Sequence, residues 1–183
     1  MTFAALVADV IARLERAGIE HMVTGSLASS YHGEPRATRD LDIVIDPTPG
    51  ALAGLVDDLS GGRYYVDRDV ALAALAERSQ FNAISPDASK VDFIIRKDRP
   101  FSIEEFRRRQ PADLLGTAGF VTSAEDLIIV KLEWAAGSDS HRQRRDVAGI
   151  LTATDKLDEA YIERWASALG LLDAWRAIRE QAG

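Results

Sequence analysis

The sequence predicts an α+β protein: a mixed β-sheet flanked by helices over residues 1–122, followed by a helical portion over 123–183 packed on that core. Three observations carry this. Apolar residues recur at helical spacing at the start of the chain. They alternate at period two in the segments 40–46 and 90–96. From residue 123 onward only the helical period remains. Strands concentrated in the middle and helices at the end are the order expected of an α+β fold.

The chain of 183 residues is long enough to bury a core without disulfides or a structural metal. It has no cysteine, which excludes disulfides, thiolate metal sites and cysteine nucleophiles. With three histidines against 29 carboxylates, a metal site would use oxygen ligands, favouring Mg2+ or Mn2+ over zinc. The net charge of −7 is opposite in sign to that of a protein coating nucleic acid, although a local basic patch can still serve an RNA. No apolar run approaches the roughly 20 residues needed to span a membrane. Asp9, Arg13 and Glu15 interrupt the N-terminal apolar pattern at helical spacing, so it reads as an amphipathic helix and not a signal peptide, and a cytoplasmic location is expected.

In chain order, residues 3–17 form a helix with Leu6, Val10, Ile11 and Leu14 on one stripe and Gly18 ending it. Residues 20–24 suit a strand, followed by Gly25-Ser26 and a short helix to about His32. Residues 40–46 (DLDIVID) alternate strictly and form a two-faced strand ended by Pro47 and Pro49. A helix over 50–60 closes at Gly61-Gly62, and 67–78 is helical. Segments 79–85 and 90–96 pair as strands across a turn at Pro86-Asp87. Ser102 and Glu105 resemble a capping box opening a basic helix to Arg109. Ser123 with Asp126 starts another helix, and three more follow near 141–153, 158–168 and 171–181.

Asp40 and Asp42 lie two apart on a strand, so both leave one face, while Leu41, Ile43 and Ile45 leave the other. Carboxylates this close repel one another until a cation stands between them or one is protonated. A solvated strand edge would explain the pair equally, except that the strand is otherwise built of Leu, Ile and Val, which suits a central position. Asp92, in the apolar segment KVDFIIR, completes a three-carboxylate cluster if that strand lies beside 40–46; otherwise it is a buried Asp with local hydrogen bonds. Such a cluster can hold the ions that stabilise both the attacking and leaving oxygens of a phosphoryl displacement. Gly25-Ser26, between a strand and a helix, offers close backbone approach and free N–H groups to phosphate oxygens, or is an ordinary helix start.

The residues GSLASSYHGEPRATRDLDIVI at 25–45, with Asp92 as third carboxylate, resemble the nucleotidyltransferase superfamily that includes DNA polymerase beta. A narrower resemblance, to AbiEii/AbiGii-type nucleotidyltransferases, covers most of the chain. It is carried by Thr38-Arg39-Asp40-Leu41-Asp42, the FN at 81–82, VDFIIR at 91–96 and SAEDLIIVKL at 123–132. It implies a nucleotidyltransferase-type sheet and a catalytic set of Asp40, Asp42, Asp92 and Lys131, with Arg145-Asp146 as the later pair of the pattern. It also implies Mg2+ or Mn2+ as cofactor, a nucleoside triphosphate as substrate and, for the toxin members, a cognate antitoxin as partner.

On this reading Asp40 and Asp42 bridge both ions, Asp92 ligates the ion nearer the acceptor, and Gly25 and Ser26 hold the β- and γ-phosphates. Arg36 and Arg39 flank the Asp-x-Asp strand and suit phosphate, although Arg39 can instead neutralise the acidic cluster. Lys131 lies among apolar residues and needs an anion: a triphosphate, Glu133 or Asp126. Asp146 contacts nucleotide, pairs with Lys131, or pairs with a neighbouring arginine. The basic runs at 107–109 and 141–146 either track an RNA backbone or form solvated helix faces. Trp134, Trp165 and Trp175 read as core, and neither Tyr64 nor Tyr65 is singled out. Three acceptors compete: the 3′ end of an RNA such as tRNA, a protein hydroxyl on an antitoxin, and a small molecule. A non-catalytic nucleotide-binding regulator is the rival of another class.

Overall fold

The computed structural model describes residues 1–35, 37–138 and 141–182. Its centre is a seven-stranded mixed sheet. The strands are β1 (Glu20–Val23), β2 (Asp40–Asp46), β3 (Tyr65–Val66), β4 (Gln80–Ile84), β5 (Lys90–Ile95), β6 (Gln110–Asp113) and β7 (Ala118–Val121), in spatial order β3-β4-β5-β2-β1-β7-β6. β2 lies at the middle of that order. It pairs antiparallel with β1 and parallel with β5, and β4 pairs antiparallel with β5. β1 meets β7 in parallel, and β6 runs antiparallel to β7 along the outer edge.

The helices are α1 (Phe3–Arg16), α2 (Gly25–His32), α3 (Pro49–Gly61), α4 (Arg68–Glu77), α5 (Pro100–Arg107), α6 (Ala124–Ser138), α7 (His141–Ala153), α8 (Glu159–Ala168) and α9 (Leu172–Ala182). Local chemistry sets their starts. Thr2 and Thr48 accept from Ala5 and Ala51, and Asp67 caps α4 through Asp69 and Val70. The Ser123 hydroxyl accepts from the Asp126 N–H at 3.2 Å, as expected of the start of α6. The capping box expected at Ser102 and Glu105 is absent. α5 starts three residues earlier because Pro100 has the fixed φ of a first turn and Arg99 is the cap, so Ser102 and Glu105 lie inside the helix. No helix among the described residues is long and apolar enough to cross a membrane.

Period two divides the central strands into two environments. Leu41, Ile43 and Ile45 of β2 and Val91, Phe93 and Ile95 of β5 join the main core with Leu6, Val10, Ile11 and Leu14 of α1. The rings of Phe81 and Phe93 stack there with centroids 5.0 Å apart. The opposite face carries Asp40, Asp42, Lys90 and Asp92. Its apolar part is small: Met22, Val44 and Phe106, with Ile94 against them. One face of the sheet thus supplies the stability and leaves the other free for chemistry.

A buried polar hub ties the C-terminal helices to α5. Asp126 is fully buried, and its carboxylate accepts from the Ser123 hydroxyl at 2.6 Å, the Tyr161 hydroxyl at 2.5 Å and the Arg108 Nε at 3.1 Å. The Arg108 guanidinium also lies 3.9 Å from the centroid of the Tyr161 ring. Removing the carboxylate leaves the Tyr161 phenol without its acceptor and takes from the half-buried Arg108 one of its two carboxylate partners, the other being Glu125. Asp126→Ala is therefore expected to lower the unfolding free energy by roughly 1–3 kcal/mol. Arg107→Ala, at an exposed pair, should leave the urea midpoint unchanged. Equal midpoints for wild type and Asp126→Ala in urea denaturation would remove the hub from the account of stability.

Candidate active site

Parallel pairing of β2 with β5 sets Asp40 opposite Lys90 and Asp42 opposite Asp92. Adjacent strands are about 4.8 Å apart, so the register brings the carboxylates of Asp42 and Asp92 side by side on the free face. Asp40 is exposed, Asp42 is half-buried and Asp92 is buried. Burial raises the pKa of Asp42; the charges of Asp92 and Asp40 push the same way, against the Ser26 N–H and the Lys131 ammonium.

Gly25 fixes where Asp42 can lie. Its φ is +61°, and a Cβ at this position would fall 1.9 Å from Asp42 Oδ2. The position therefore needs glycine for both its backbone and the space it leaves. Gly25 opens α2, and the next N–H, that of Ser26, points at Asp42 Oδ2 from 3.4 Å. The Arg142 guanidinium donates to the Ser26 hydroxyl at 3.2 Å.

Lys131 is buried, and its ammonium lies 2.7 Å from Asp146 Oδ2. Of the anions open to it in the sequence, Asp126 is engaged in the hub and Glu133 is held by both guanidinium nitrogens of Arg99 at 2.6 Å each. Asp146 also accepts from Ser29 Oγ at 3.4 Å, and that hydroxyl reaches the Gly25 carbonyl at 2.9 Å. A continuous polar chain thus links α6, α7 and α2 behind Asp42. Arg142, Arg145, Ser29 and Asp146 line a cleft of about 350 Å³ beside it.

Two site residues were not visible in the sequence. Lys90 places its ammonium 2.8 Å from Asp92 Oδ2, and this hydrogen bond raises the lysine pKa. It lies two residues from Asp92 on the same strand, a spacing that could have exposed it. Glu105, expected in a cap, is buried on α5 and lines a second cleft of about 290 Å³ with Thr24, Val44, Ile94, Glu133 and Trp134. Burial, with the charge of Asp126 adding to it, pushes Glu105 up to about 8.

Arg39 is exposed immediately before Asp40, and Arg36 falls outside the described residues. The run 107–109 is engaged in ion pairs within the fold: Arg107 with Glu104, Arg108 with Glu125 and Asp126, Arg109 with Glu20. Trp175 is core, Trp165 packs against the core, and Trp134 is half-buried beside the second cleft. Tyr64 is buried with its hydroxyl 2.7 Å from Asp9 Oδ2, whereas Tyr65 is exposed.

Among the described residues no three carboxylate or imidazole groups already enclose one point. The donor set still fits a hard divalent ion. It offers carboxylate oxygens from one face of two paired strands, and among the described residues Lys90, Lys131 and an N–H group relieve their mutual repulsion.

No family model matches the chain, and no curated protein matches it in sequence. Solved structures do match in shape. The solution structure of the antibiotic-resistance factor ANT(2'')-Ia superposes with a TM-score of 0.62 at 16% identity, over 97% of this chain and 95% of that one. The crystal structure of ANT(2'')-Ia in complex with adenylyl-2''-tobramycin gives 0.59 at 17% identity over the whole of both chains. The lincosamide antibiotic adenylyltransferase LnuA, lincomycin-bound, gives 0.57 at 11% identity, over 81% of this chain and 96% of that one. The fold is therefore of the nucleotidyltransferase type, a mixed seven-stranded sheet flanked by helices.

Two outcomes are expected. Gly25→Ala should displace the Asp42 carboxylate and weaken Mn2+ binding at least tenfold by calorimetry. The left-handed backbone alone should cost about 1–2 kcal/mol of stability. Wild-type Mn2+ affinity in this variant would mean that the glycine does not set the carboxylate position. Glu105 binds its proton more tightly folded than unfolded, so between roughly pH 4.5 and 8 the folded state carries the extra proton and stability falls as pH rises. Glu105→Gln should remove that slope and be the more stable form at pH 8 by an order of a few kcal/mol. Parallel stability curves across this range for the two proteins would contradict the assignment.

Proposed function

We propose that this chain is a divalent-metal-dependent nucleotidyltransferase that moves a nucleoside monophosphate from a nucleoside triphosphate to an acceptor hydroxyl. The observation that carries this reading is the Asp42–Asp92 register, closed from behind by a glycine that leaves room only for the carboxylate. Asp40, Asp42 and Asp92 would hold Mg2+ or Mn2+, which when bound neutralises phosphate charge and eases ionisation of the acceptor hydroxyl. The acceptor oxygen attacks the α-phosphorus, the bond to the bridging oxygen of the β-phosphate breaks, and its electron pair leaves with pyrophosphate.

The protein's part is positioning and charge. Asp92 would take the acceptor proton. The Gly25-Ser26 turn and Arg142 would orient the β- and γ-phosphates at the start of α2. Lys131, held by Asp146, would add positive charge near the α-phosphate, and Arg36 and Arg39 would complete the phosphate contacts. On this reading residues 1–122 supply the carboxylates and residues 123–183 supply Lys131, Arg142 and Asp146. The proposed acceptor is the 3′ end of an RNA, with tRNA foremost, in a toxin–antitoxin setting with a cognate antitoxin. Its support is the AbiEii-like pattern together with Arg142 and Arg145 in the cleft beside the site.

A small-molecule acceptor is the second reading. Antibiotic-modifying structures of the same length share the fold, and the arginines at 107–109 are already paired within the protein. One experiment separates the two: incubation with each α-labelled NTP, Mg2+ and total RNA, beside Asp42→Asn. Label on tRNA-sized RNA that is absent with Asp42→Asn is expected. An active Asp42→Asn protein would overturn the metal assignment, and label on small molecules alone would move the acceptor to the second reading.

A further inference from the structure

We propose that the cleft between the free sheet face and helices α5 and α6 binds the 3′-terminal nucleobase of the acceptor strand. This rests on the RNA reading above and extends it to a site of its own. Val44 and Ile94 form part of the cleft lining and lie two residues beyond Asp42 and Asp92 on the same face. A base held there would place its own ribose, with the attacking hydroxyl, toward Asp92. The triphosphate contacts proposed at Ser26 and Arg142 lie toward the other cleft, so the two substrates approach the carboxylates from different sides.

The cleft contains polar groups that the fold leaves unsatisfied. The Thr24 hydroxyl oxygen is fully buried and has no hydrogen-bond partner among the described residues. Glu105 is 6% exposed and makes no hydrogen bond or ion pair with the described residues. Native interiors seldom tolerate such groups, and at a cavity wall a bound ligand, ion or water can satisfy them. With its pKa near 8, Glu105 is mostly protonated at neutral pH and can both donate and accept, as the hydrogen-bonding edge of a base requires. Val44 and Ile94 supply apolar surface, Trp134 offers an aromatic wall, and a volume of about 290 Å³ admits one nucleotide unit.

Charge chooses the ligand class. The inner wall carries the carboxyl groups of Glu105 and Glu133, the latter held by Arg99. The outer part carries Arg96, Lys97 and Arg99. Arg96 is paired with Asp46 and Asp98, and Arg99 with Glu133, whereas Lys97 is exposed and has no such pair among the described residues. A cationic amine would have to enter past these positive groups. A terminal nucleotide matches both levels, with its phosphate at the basic rim and the hydrogen-bonding edge of its base against the Glu105 carboxyl and the Thr24 hydroxyl.

The test is a fluorescence titration of the full chain, without triphosphate, into an RNA oligonucleotide whose 3′-terminal residue is 2-aminopurine. Saturable quenching is expected, with affinity reduced about tenfold or more by Glu105→Leu, which suits a buried position, and by Lys97→Glu on the surface. Glu105→Gln should bind as wild type does, and above pH 8 should outlast it. Equal affinity for an oligonucleotide ending in an abasic residue, or no effect of either Glu105→Leu or Lys97→Glu, would overturn the assignment. The two levels fail separately. Elongation of RNA regardless of a 3′ abasic end would keep the activity and remove the pocket. Terminal-base binding without elongation of any RNA would keep the pocket and remove the activity.

Discussion

Two carboxylates forced side by side are the constraint on which this structure turns. Parallel pairing of β2 with β5 makes Asp42 the direct neighbour of Asp92, and both side chains leave the same face of the sheet. The repulsion is not dissipated into solvent, since Asp92 is buried and Asp42 is half-buried. Much of the surrounding architecture answers it. The start of α2 directs an N–H at Asp42, Lys90 reaches Asp92, and Lys131 is sunk behind them on α6. Positive charge is thus gathered from a strand and a distant helix around one short stretch of sheet.

A buried lysine costs several kcal/mol unless it is paired and hydrogen-bonded. Lys131 meets that requirement through Asp146, and Asp146 through Ser29. The pair therefore does structural work as well as lending charge: it joins α6 to α7 and to the helix that begins at Gly25. Displacement of any one of these helices would be felt at Asp42 through α2, which touches it directly.

Most of the fold was legible because its periodicities are strong. The strand over 40–46 and the pairing of 79–85 with 90–96 follow from alternation and from the turn at Pro86-Asp87, and α6 from Ser123 and Asp126. β3, β6 and β7 were missed for physical reasons. β3 has two residues, and β6 and β7 carry Gln110, Pro111, Gly119 and Ala residues that lack strand character. They are strands because neighbours offer them hydrogen bonds, which no local pattern records. At the site, Asp40, Asp42 and Asp92 could be grouped from sequence, and the register sets the latter two side by side. The Lys131–Asp146 pair was one option among several. Glu105 was misread because Ser-x-x-Glu fits a cap equally well, and only the burial of α5 reveals an acid with no partner.

The two margins of the sheet differ from its centre in a way that bears on how the molecule meets others. At one margin β3 offers only Tyr65 and Val66. At the other, β6 contains Pro111, which has no N–H to give, and ends at Asp113. A long, regular edge invites a second chain to add its own strand, and these do not. Growth of the sheet from molecule to molecule is thereby discouraged at both ends. The protein can expose a charged, reactive face on its middle strands while its borders resist aggregation.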